Sequence, residues 1–391
     1  MSCPACGSTQ TEVFYERDGV PVHSCLLVDD QEQARQFPRG DLSIGLCGDC
    51  GFIHNRSYDP ARSNYSPDYE ETQGYSPHFQ QFLAELADRW VGRYDLSGGR
   101  VVEIGCGKAE FLVELVRHGV AEAVGIDPGV HPERIPEDVR DRVRLISGFF
   151  PGEMPDIEAD AVVCRHTLEH IGPVSEFMRE VRRAIGDRTE TVVLFELPDT
   201  LRVLREAAFW DVYYEHCSYF TLGSLGRLFR RTGFEVLDLS MAYDDQYLLI
   251  EARPAPSSAD LAPHPLEEDV SVVAESVASF QAAEATLLRA WSDEIEAVAA
   301  RGGRTAIWGS GSKGVAFLAA LGSQSDAVAC AVDINPFKHG KFMAGTAHPI
   351  VAPTHLREYR PELVVAMNPV YVGEIQRDLD ELDVSATLKA L

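Results

Sequence analysis

The chain has 391 residues, of which 45% are hydrophobic, and it carries a formal net charge of −26. This length exceeds one ordinary domain, and the composition is sufficient for two or three buried cores. The strong acidity argues against nucleic acid as a partner, because phosphate backbones bind clustered Lys and Arg. The lack of an eighteen-residue apolar run and of a basic-then-apolar leader predicts a cytoplasmic protein with no membrane partner.

The amino-terminal segment contains two Cys-x-x-Cys pairs: Cys3, Cys6, Cys47 and Cys50. Each pair places two thiolates on one tight turn, so the two pairs together can close a tetrahedral zinc site. The sequence therefore predicts a small zinc-binding domain over residues 1–75. His23 and Cys25 lie between the pairs and are possible substitute ligands, and unpaired buried thiols are the alternative to a metal site.

A regular alternation of strand and helix patterns begins at Arg100. The stretch RVVEIGCG is typical of a buried strand that enters a glycine turn, and the strand after the next helix ends in Asp127. Gly105 and Gly107 let a ligand approach bare backbone at the start of that helix. Asp127 can bind both ribose hydroxyls of an adenosine, whereas Glu103 would repel a diphosphate. A nicotinamide-binding fold has a similar pattern and is the main alternative.

Strand patterns continue to Arg253 and are followed by a proline- and serine-rich stretch, PAPSSADLAPHPLEE. Apolar residues at helical spacing from Glu267 to Ala300 predict a connecting helix or helix pair. A second strand and helix alternation starts at Thr305 with TAIWGSGSKG. The sequence therefore predicts an α/β protein with four segments: an amino-terminal domain at 1–75, a cofactor-binding domain at 76–253, a linker and helix at 254–303, and a second Rossmann-like domain at 304–391.

Three of the five lysines lie between residues 313 and 341 of this last segment. Lys313 belongs to the second glycine turn, and Lys338 and Lys341 belong to NPFKHGKF after the next strand. In so acidic a chain, this concentration favours a binding site for a diphosphate-bearing substrate, next to a helix amino terminus that also attracts anions. The alternative is a degenerate Rossmann-like body whose lysines are solvated.

The stretch DVYYEHCSYFT places Glu215 and His216 side by side among aromatic residues. Adjacent residues cannot share one face of a strand, so we expect a turn or loop at the rim of a cleft. A histidine with a carboxylate partner is a typical general base. The alternative is aromatic packing at the sheet edge, with the two polar side chains in solvent.

The chain resembles the class I S-adenosylmethionine-dependent methyltransferases in its glycine motif, VVEIGCGKAEF, and in the acidic GID that follows. The resemblance implies four positions that bind S-adenosylmethionine: Glu103, Gly105, Gly107 and Asp127. It also implies that Phe149 in ISGFF lies against the adenine. Arg165 is the last predicted cofactor-binding residue, in the stretch CRHTLEH, where such enzymes bring the substrate near the methyl group.

Over nearly its whole length, the chain also resembles the sugar C-methyltransferases. The resemblance rests on the paired cysteines, the methyltransferase core, the linker and a carboxy-terminal body with GSGSKG and VDINPFKHGKFMAGT. It implies a class I methyltransferase core between a zinc-binding domain and a second Rossmann-like domain, with S-adenosylmethionine and structural zinc as cofactors. Enzymes of this family methylate a carbon beside the ketone of a nucleotide-linked 4-keto deoxysugar, so a nucleotide sugar is the implied small-molecule substrate.

A Tyr-x-Glu-His motif carries the catalytic roles in that family, and it matches Tyr213, Glu215 and His216 here. The resemblance implies that His216 removes the substrate proton. Glu215 would orient His216 and hold its charge, and Tyr213 would donate a hydrogen bond to the enolate oxygen.

Two further expectations concern the site. His170 in LEHI is the second candidate base, with a histidine satisfied by backbone as the alternative. An amino-terminal tyrosine is expected to reach the site, and three compete for that role: Tyr65, Tyr69 and Tyr75. We favour Tyr75.

Cys217 and Ser218 depart from the residues expected at these positions in sugar enzymes. The substrate can therefore differ from the familiar keto-sugars. Methylation of oxygen or nitrogen in another small metabolite is the alternative function, and a non-catalytic module that binds ligands is the third.

Overall fold

The computed structural model describes residues 2–63, 65, 68–256 and 261–391. Residues 257–260 of the predicted linker lie outside this description. The strands are, in chain order, β1 (Thr11–Pro21), β2 (Arg39–Cys47), β3 (Ile53–Asn55), β4 (Arg100–Ile104), β5 (Glu122–Asp127), β6 (Val143–Ser147), β7 (Ala161–Arg165), β8 (Val192–Pro198), β9 (Ser218–Tyr219), β10 (Phe234–Ala242), β11 (Tyr247–Pro254), β12 (Thr305–Trp308), β13 (Val328–Val332), β14 (Ile350–Val351), β15 (Leu363–Ala366) and β16 (Thr387–Ala390). The α-helices are α1 (Gln31–Arg35), α2 (Pro77–Arg93), α3 (Glu110–Arg117), α4 (Val174–Ile185), α5 (Thr200–Glu206), α6 (Leu222–Arg231), α7 (Val270–Ala300), α8 (Ser312–Leu321), α9 (Leu356–Tyr359) and α10 (Val372–Glu381).

A four-stranded antiparallel sheet forms the amino-terminal part, in the order β1-β2-β3-β9. Its last strand, Ser218–Tyr219, comes from the DVYYEHCSYFT stretch, well outside the predicted 1–75 domain. Glu215 and His216 lie just before this strand in a turn and the loop that follows it, as their adjacency in sequence predicts. The strand pairing therefore holds the Glu-His pair against the amino-terminal sheet.

The central sheet has seven strands in the order β10-β11-β8-β7-β4-β5-β6. Strands β4 to β8 are parallel, and β10 and β11 are antiparallel. All five residues of β7 are buried, as expected for a parallel strand covered on both faces. The chain runs outward in opposite directions from β4 and β7, so a crevice opens at their carboxyl ends, where open α/β sheets bind ligands.

The carboxy-terminal sheet is entirely parallel, in the order β14-β13-β12-β15-β16. Its order reverses at β12, so the turn after β12 also opens into a crevice. This is a second Rossmann-like arrangement, and with the central sheet it gives the chain the α/β fold that the sequence predicts.

The predicted connecting segment is one continuous helix, α7, whose 31 residues span about 46 Å. Its buried residues recur mainly at three- and four-residue spacing: Val273, Val277, Phe280, Trp291, Ile295 and Val298. Phe280 packs edge-on against Tyr15 of β1, and Trp291 packs edge-on against Phe317 of α8. Helix α7 therefore joins the amino-terminal sheet to the carboxy-terminal sheet. No helix in the described ranges is long and apolar enough to cross a membrane.

Candidate active site

A cavity of about 780 Å³ lies between the three sheets. Its walls include the glycine turn after β4, the glycine turn after β12 and the aromatic loop before β9. The volume suits a cofactor together with a small substrate, because pockets for such ligands usually measure 300–1,000 Å³. The predicted cofactor site, the predicted diphosphate site and the predicted catalytic loop therefore line the same cavity.

The turn after β4 has the geometry of a nucleoside site. Gly105 and Gly107 adopt φ values of +72° and +50°, and a side chain at Gly105 would collide with Thr167. Asp127 ends β5, where its Oδ2 accepts from the Gly107 amide at 3.1 Å and its Oδ1 accepts from the Gly129 amide at 2.6 Å. The carboxylate is held at the turn and also lines the cavity.

Glu103 adds an unsatisfied acid to this end of the cavity. The residue is 2% exposed, and its Oε2 has no hydrogen-bond partner among the described residues. Burial raises its pKa to about 8, and nearby Arg165 opposes the rise. The bare glycine turn, the ribose-side carboxylate and an orphaned acid fit S-adenosylmethionine, which carries an adenosine and two cationic groups.

The structure places the two remaining predicted cofactor residues differently. Phe149 is 62% exposed at the cavity wall, where a flat ring can lie against an adenine. Arg165 is buried and makes a bidentate pair with Glu196 at 2.8 and 3.0 Å, and its guanidinium lies 4.5 Å from the Phe111 ring. Arg165 is thus part of an ion pair in the wall rather than a free donor to the ligand.

Residues 69–72, of which only Tyr69 was a candidate site residue from the sequence, cover the glycine turn. Lys108 donates to the Tyr69 carbonyl at 2.8 Å, Arg134 pairs with Glu70 at 2.8 Å, and Thr72 bonds to Glu110. Glu71 lies beside Lys108, and burial raises its pKa to about 7. These contacts hold residues 69–72 across the cofactor end of the cavity. In the sequence, the run of four polar residues from Tyr69 to Thr72 is the feature that could have indicated this part of the site.

The Glu215 side chain points away from His216, contrary to the role that the resemblance implies. Its Oε2 lies 2.9 Å from His23 Nδ1 and accepts from the Tyr69 hydroxyl at 3.1 Å, and its Oε1 accepts from the Ser24 amide at 3.1 Å. Glu215 is fully buried and is not among the residues that line the cavity. Despite burial, these bonds lower the pKa of Glu215, so the carboxylate ties the aromatic loop to the amino-terminal segment.

His216 lines the cavity and is 8% exposed. Its ring centroid lies 4.7 Å from that of His170 and 4.2 Å from that of Tyr213, and it makes no hydrogen bond to another described residue. Burial, reinforced by the charge of His170, holds the pKa of His216 well below its usual value of 6.5. His216 is therefore a neutral imidazole with an unengaged ring nitrogen in the cavity, as a general base requires.

His170 and the tyrosines form a second layer around this imidazole. His170 Nδ1 lies 2.7 Å from the Tyr65 hydroxyl and 3.1 Å from the Glu215 carbonyl. Tyr75 is 39% exposed in the wall near Phe337, so the structure favours Tyr65, not Tyr75, as the amino-terminal tyrosine beside the histidines. The Tyr213 hydroxyl makes no hydrogen bond to a described residue.

A carboxylate that sequence reasoning missed lies next to the histidine pair. Glu169 is 2% exposed, and both its carboxylate oxygens lack a hydrogen-bond partner among the described residues. A carboxylate oxygen of Glu169 and one ring nitrogen of each of His170 and His216 lie within 4.8 Å of one another. The sequence LEHI places Glu169 directly before His170, but the sequence analysis considered only the histidine.

The carboxy-terminal lysines are less available than their clustering predicts. Lys313 lines the cavity but pairs with Asp211 at 2.7 Å, and Lys338 lines it at 3.6 Å from Asp333. Lys341 pairs with the exposed Asp29 and is not among the lining residues, so the structure does not bring it into the site. Each lysine has a carboxylate partner, which sequence spacing alone does not reveal.

The four paired cysteines converge in the amino-terminal part. Cys3 Sγ lies 3.7 Å from Cys50 Sγ, Cys6 Sγ lies 3.6 Å from Cys47 Sγ, and all four sulfurs lie within 4.8 Å of one another. A tetrahedral zinc site with Zn–S bonds of about 2.3 Å has sulfur–sulfur edges of about 3.8 Å, so the residues fit a zinc ion. A hydrogen bond from Cys50 lowers the pKa of Cys3 to about 5, whereas the same bond raises the pKa of Cys50 and burial raises that of Cys6 to about 11.

The two possible substitute zinc ligands contact other groups. His23 lies against Glu215, as described above, and Cys25 Sγ lies 3.5 Å from Ser312 Oγ in the cavity wall. Neither belongs to the cysteine cluster.

Two family models match the chain. A methyltransferase domain covers residues 75–239, and a C-methyltransferase C-terminal domain covers residues 264–386. C-methyltransferase NovU of Streptomyces niveus is 26% identical, with 95% of this chain and 90% of the relative aligned. Ribosomal protein L11 methyltransferase of Enterobacter sp. (strain 638) is 33% identical over 23% of this chain and 31% of its own length.

Solved structures resemble about half of the chain, and more weakly. Mitomycin 7-O-methyltransferase MmcR matches with a TM-score of 0.37 and 19% identity, over 44% of this chain and 54% of that enzyme. The 1,6-didemethyltoxoflavin-N1-methyltransferase of Burkholderia thailandensis also has a TM-score of 0.37, with 14% identity over 53% of this chain and 97% of that enzyme. TM-scores this low do not establish a shared fold by themselves. The methyltransferase assignment therefore depends on the observed sheets and on the two family models.

Proposed function

We propose that this chain, an S-adenosylmethionine-dependent methyltransferase, methylates a carbon atom beside the ketone of a nucleotide-linked 4-keto sugar. The observation that carries the proposal is His216, a neutral and unengaged imidazole in the same cavity as the cofactor's glycine turn. Methylation of carbon beside a ketone needs a base inside the site, because the C–H proton must be removed before the carbon can act as a nucleophile.

The chain's own residues supply the proton chemistry. S-adenosylmethionine, when bound, would supply an electrophilic methyl group, whose bond to sulfur breaks on transfer and leaves S-adenosylhomocysteine. His216 accepts the proton from the carbon, and the C–H electron pair becomes the enolate, which then forms the new C–C bond. The Tyr213 ring lies beside the His216 ring, and its hydroxyl, which makes no hydrogen bond to a described residue, can donate to the enolate oxygen.

The nucleotide part of the proposed substrate suits the other end of the cavity. The turn after β12 supplies Gly309 with φ +115°, Gly311 and the amino terminus of α8, and these residues line the cavity. Backbone amides at a helix amino terminus bind phosphate without added cations. Lys313 can contribute only in competition with Asp211. The match to a C-methyltransferase C-terminal domain and the similarity to C-methyltransferase NovU support the other part of the proposal, methylation of a carbon atom.

We also propose that Cys3, Cys6, Cys47 and Cys50 hold a structural zinc ion. The cysteine cluster belongs to the amino-terminal part and shares no residue with the cavity lining. The metal would stabilise the segment that presents Tyr65 and residues 69–75 to the cavity, without taking part in methyl transfer.

Proton exchange tests the proposed reaction. The enzyme is incubated in heavy water with S-adenosylhomocysteine and a thymidine diphosphate-linked 4-keto-6-deoxyhexose. Deuterium should enter the carbon beside the ketone, and replacing S-adenosylhomocysteine with S-adenosylmethionine should place a methyl group on that carbon. A product with its new methyl group on oxygen or nitrogen, formed without prior exchange, would instead support the alternative chemistry.

A further inference from the structure

The carboxylate that was expected to assist His216 is committed elsewhere. Glu215 bonds to His23, Ser24 and Tyr69, and it does not line the cavity. A base that becomes an imidazolium in a buried site nevertheless needs a counter-charge, because an isolated buried cation is strongly disfavoured. Another acid must therefore face His216.

Glu169 is the carboxylate in the right place. It belongs to the short turn Leu168–His170 after β7, it lines the cavity, and it lies within 4.8 Å of the His170 and His216 ring nitrogens. Both of its oxygens are buried without a hydrogen bond. Such a carboxylate costs folding free energy unless cations lie beside it, and at rest His166 compensates only part of its charge from 3.6 Å.

We propose that Glu169 is the positioning carboxylate that stabilises the imidazolium formed on His216. The proposal rests on the proposed function. The proton moves from the substrate carbon to the His216 ring, the electron pair stays on the substrate as the enolate, and Glu169 remains an anion throughout. An opposite charge within about 4–6 Å favours the protonated imidazole, so proton transfer to His216 becomes easier.

Other charged groups around Glu169 and His216 oppose or reinforce the effect of the Glu169 carboxylate. His166 Nδ1 lies 3.6 Å from Glu169 Oε1, while its Nε2 lies 2.7 Å from Glu196. Burial lowers the pKa of His166, but Glu169 and Glu196 raise it to about 9, so His166 compensates part of the charge of Glu169 at rest. Other titratable groups that face the pair include Tyr65, Cys164, His170, Tyr213, Cys217, Tyr219 and Lys313. The charges of His170, His166 and Lys313 add to the effect of burial and lower the pKa of His216.

The first test needs no substrate, so it is independent of the proposed reaction. Histidine-labelled enzyme is titrated by NMR over the pH range in which it stays folded, and the His216 signal is identified by its loss in His216→Asn. In Glu169→Gln, His216 should take up its proton at a pH lower than in the wild type by one unit or more. Glu215→Gln removes a buried carboxylate next to His216 in sequence and is the matched control; its effect should be smaller.

Three results of this titration would overturn the proposal. The first is that His216 titrates at the same or a higher pH in Glu169→Gln. The second is a larger effect in Glu215→Gln than in Glu169→Gln, and the third is that wild-type His216 takes up no proton in this range. Metal analysis supplies a fourth result that would overturn the proposal. If the wild type holds a second metal ion per chain, and Glu169→Gln loses it with the four cysteines intact, Glu169 is a metal ligand instead.

Kinetics on the methylated substrate separates a positioning role from a structural one. With the thymidine diphosphate-linked 4-keto-6-deoxyhexose, Glu169→Gln should lower kcat by about tenfold or more, leave KM and S-adenosylmethionine affinity within about twofold, and increase the isotope effect of a substrate deuterated at the reacting carbon. Glu169→Asp should recover part of kcat. An equal loss in Glu169→Asp, or a loss confined to KM, would contradict the proposal. Failure of the wild type to exchange or methylate would count against the proposed function and leave the titration result standing.

Discussion

Asp127 should decide how tightly the enzyme holds its cofactor. The carboxylate ends β5, accepts from the Gly107 and Gly129 amides, and faces the cavity. The two ribose hydroxyls of S-adenosylmethionine are the expected partners of its remaining lone pairs. We predict that Asp127→Asn weakens S-adenosylmethionine binding while the glycine turn keeps its shape, because the asparagine carbonyl still accepts one backbone amide.

The size of the effect follows from the hydrogen bonds that are lost. A hydrogen bond to a charged group contributes about 1.5–3 kcal/mol, and asparagine replaces one anionic acceptor with an amide donor. A loss of about 2–3 kcal/mol corresponds to a Kd that rises by about 30- to 160-fold. The loss is not larger, since Glu103 and the glycine backbone remain in place.

Calorimetric titration with S-adenosylmethionine measures this change, and Asp333→Asn is a matched control. Asp333 follows β13 in the carboxy-terminal sheet and accepts from the Ser310 amide at 3.0 Å, in an arrangement that parallels Asp127. The control should leave cofactor affinity unchanged. A change of less than threefold in Asp127→Asn, or an equal loss in Asp333→Asn, would refute this assignment of the cofactor site.

Four further outcomes test the site and the metal cluster. His216→Asn should abolish both deuterium exchange and methylation at unchanged S-adenosylmethionine affinity by calorimetry; retained turnover would move the role of base to His170. Tyr213→Phe should be milder, with kcat reduced by at most about a hundred- to a thousand-fold in steady-state assays, because it removes one oxyanion donor. Since burial and His170 depress the pKa of His216, the imidazole stays neutral as pH falls through 6.5, and the acid limb of the kcat/KM profile should lie below that pH; a limb at or above 6.5 would contradict the assignment. Protein purified without chelator should contain one zinc per chain by metal analysis, and Cys47→Ser should lose it and lower the melting temperature without changing cofactor affinity.

Local patterns in the sequence determined much of this protein. The spacing of the cysteine pairs indicated that four sulfurs would meet, and the alternation of strands and helices indicated two α/β bodies. The glycine turn between Glu103 and Asp127 located the cofactor end of the cavity. These features are readable because each depends on neighbours in the chain: a turn needs glycine where φ is positive, and a buried parallel strand needs a continuous apolar run.

The tertiary structure alone decided which polar side chains meet. Glu215 is adjacent to His216 in sequence, yet it bonds to His23, 192 residues away, because the loop before β9 turns its side chain towards the amino-terminal sheet. The same packing brings Tyr65 onto His170 and Lys313 onto Asp211. Side-chain direction in a loop is set by the partners that burial makes available, and a buried charge takes the nearest opposite charge or donor. Those partners come from distant parts of the chain, so no local pattern specifies them.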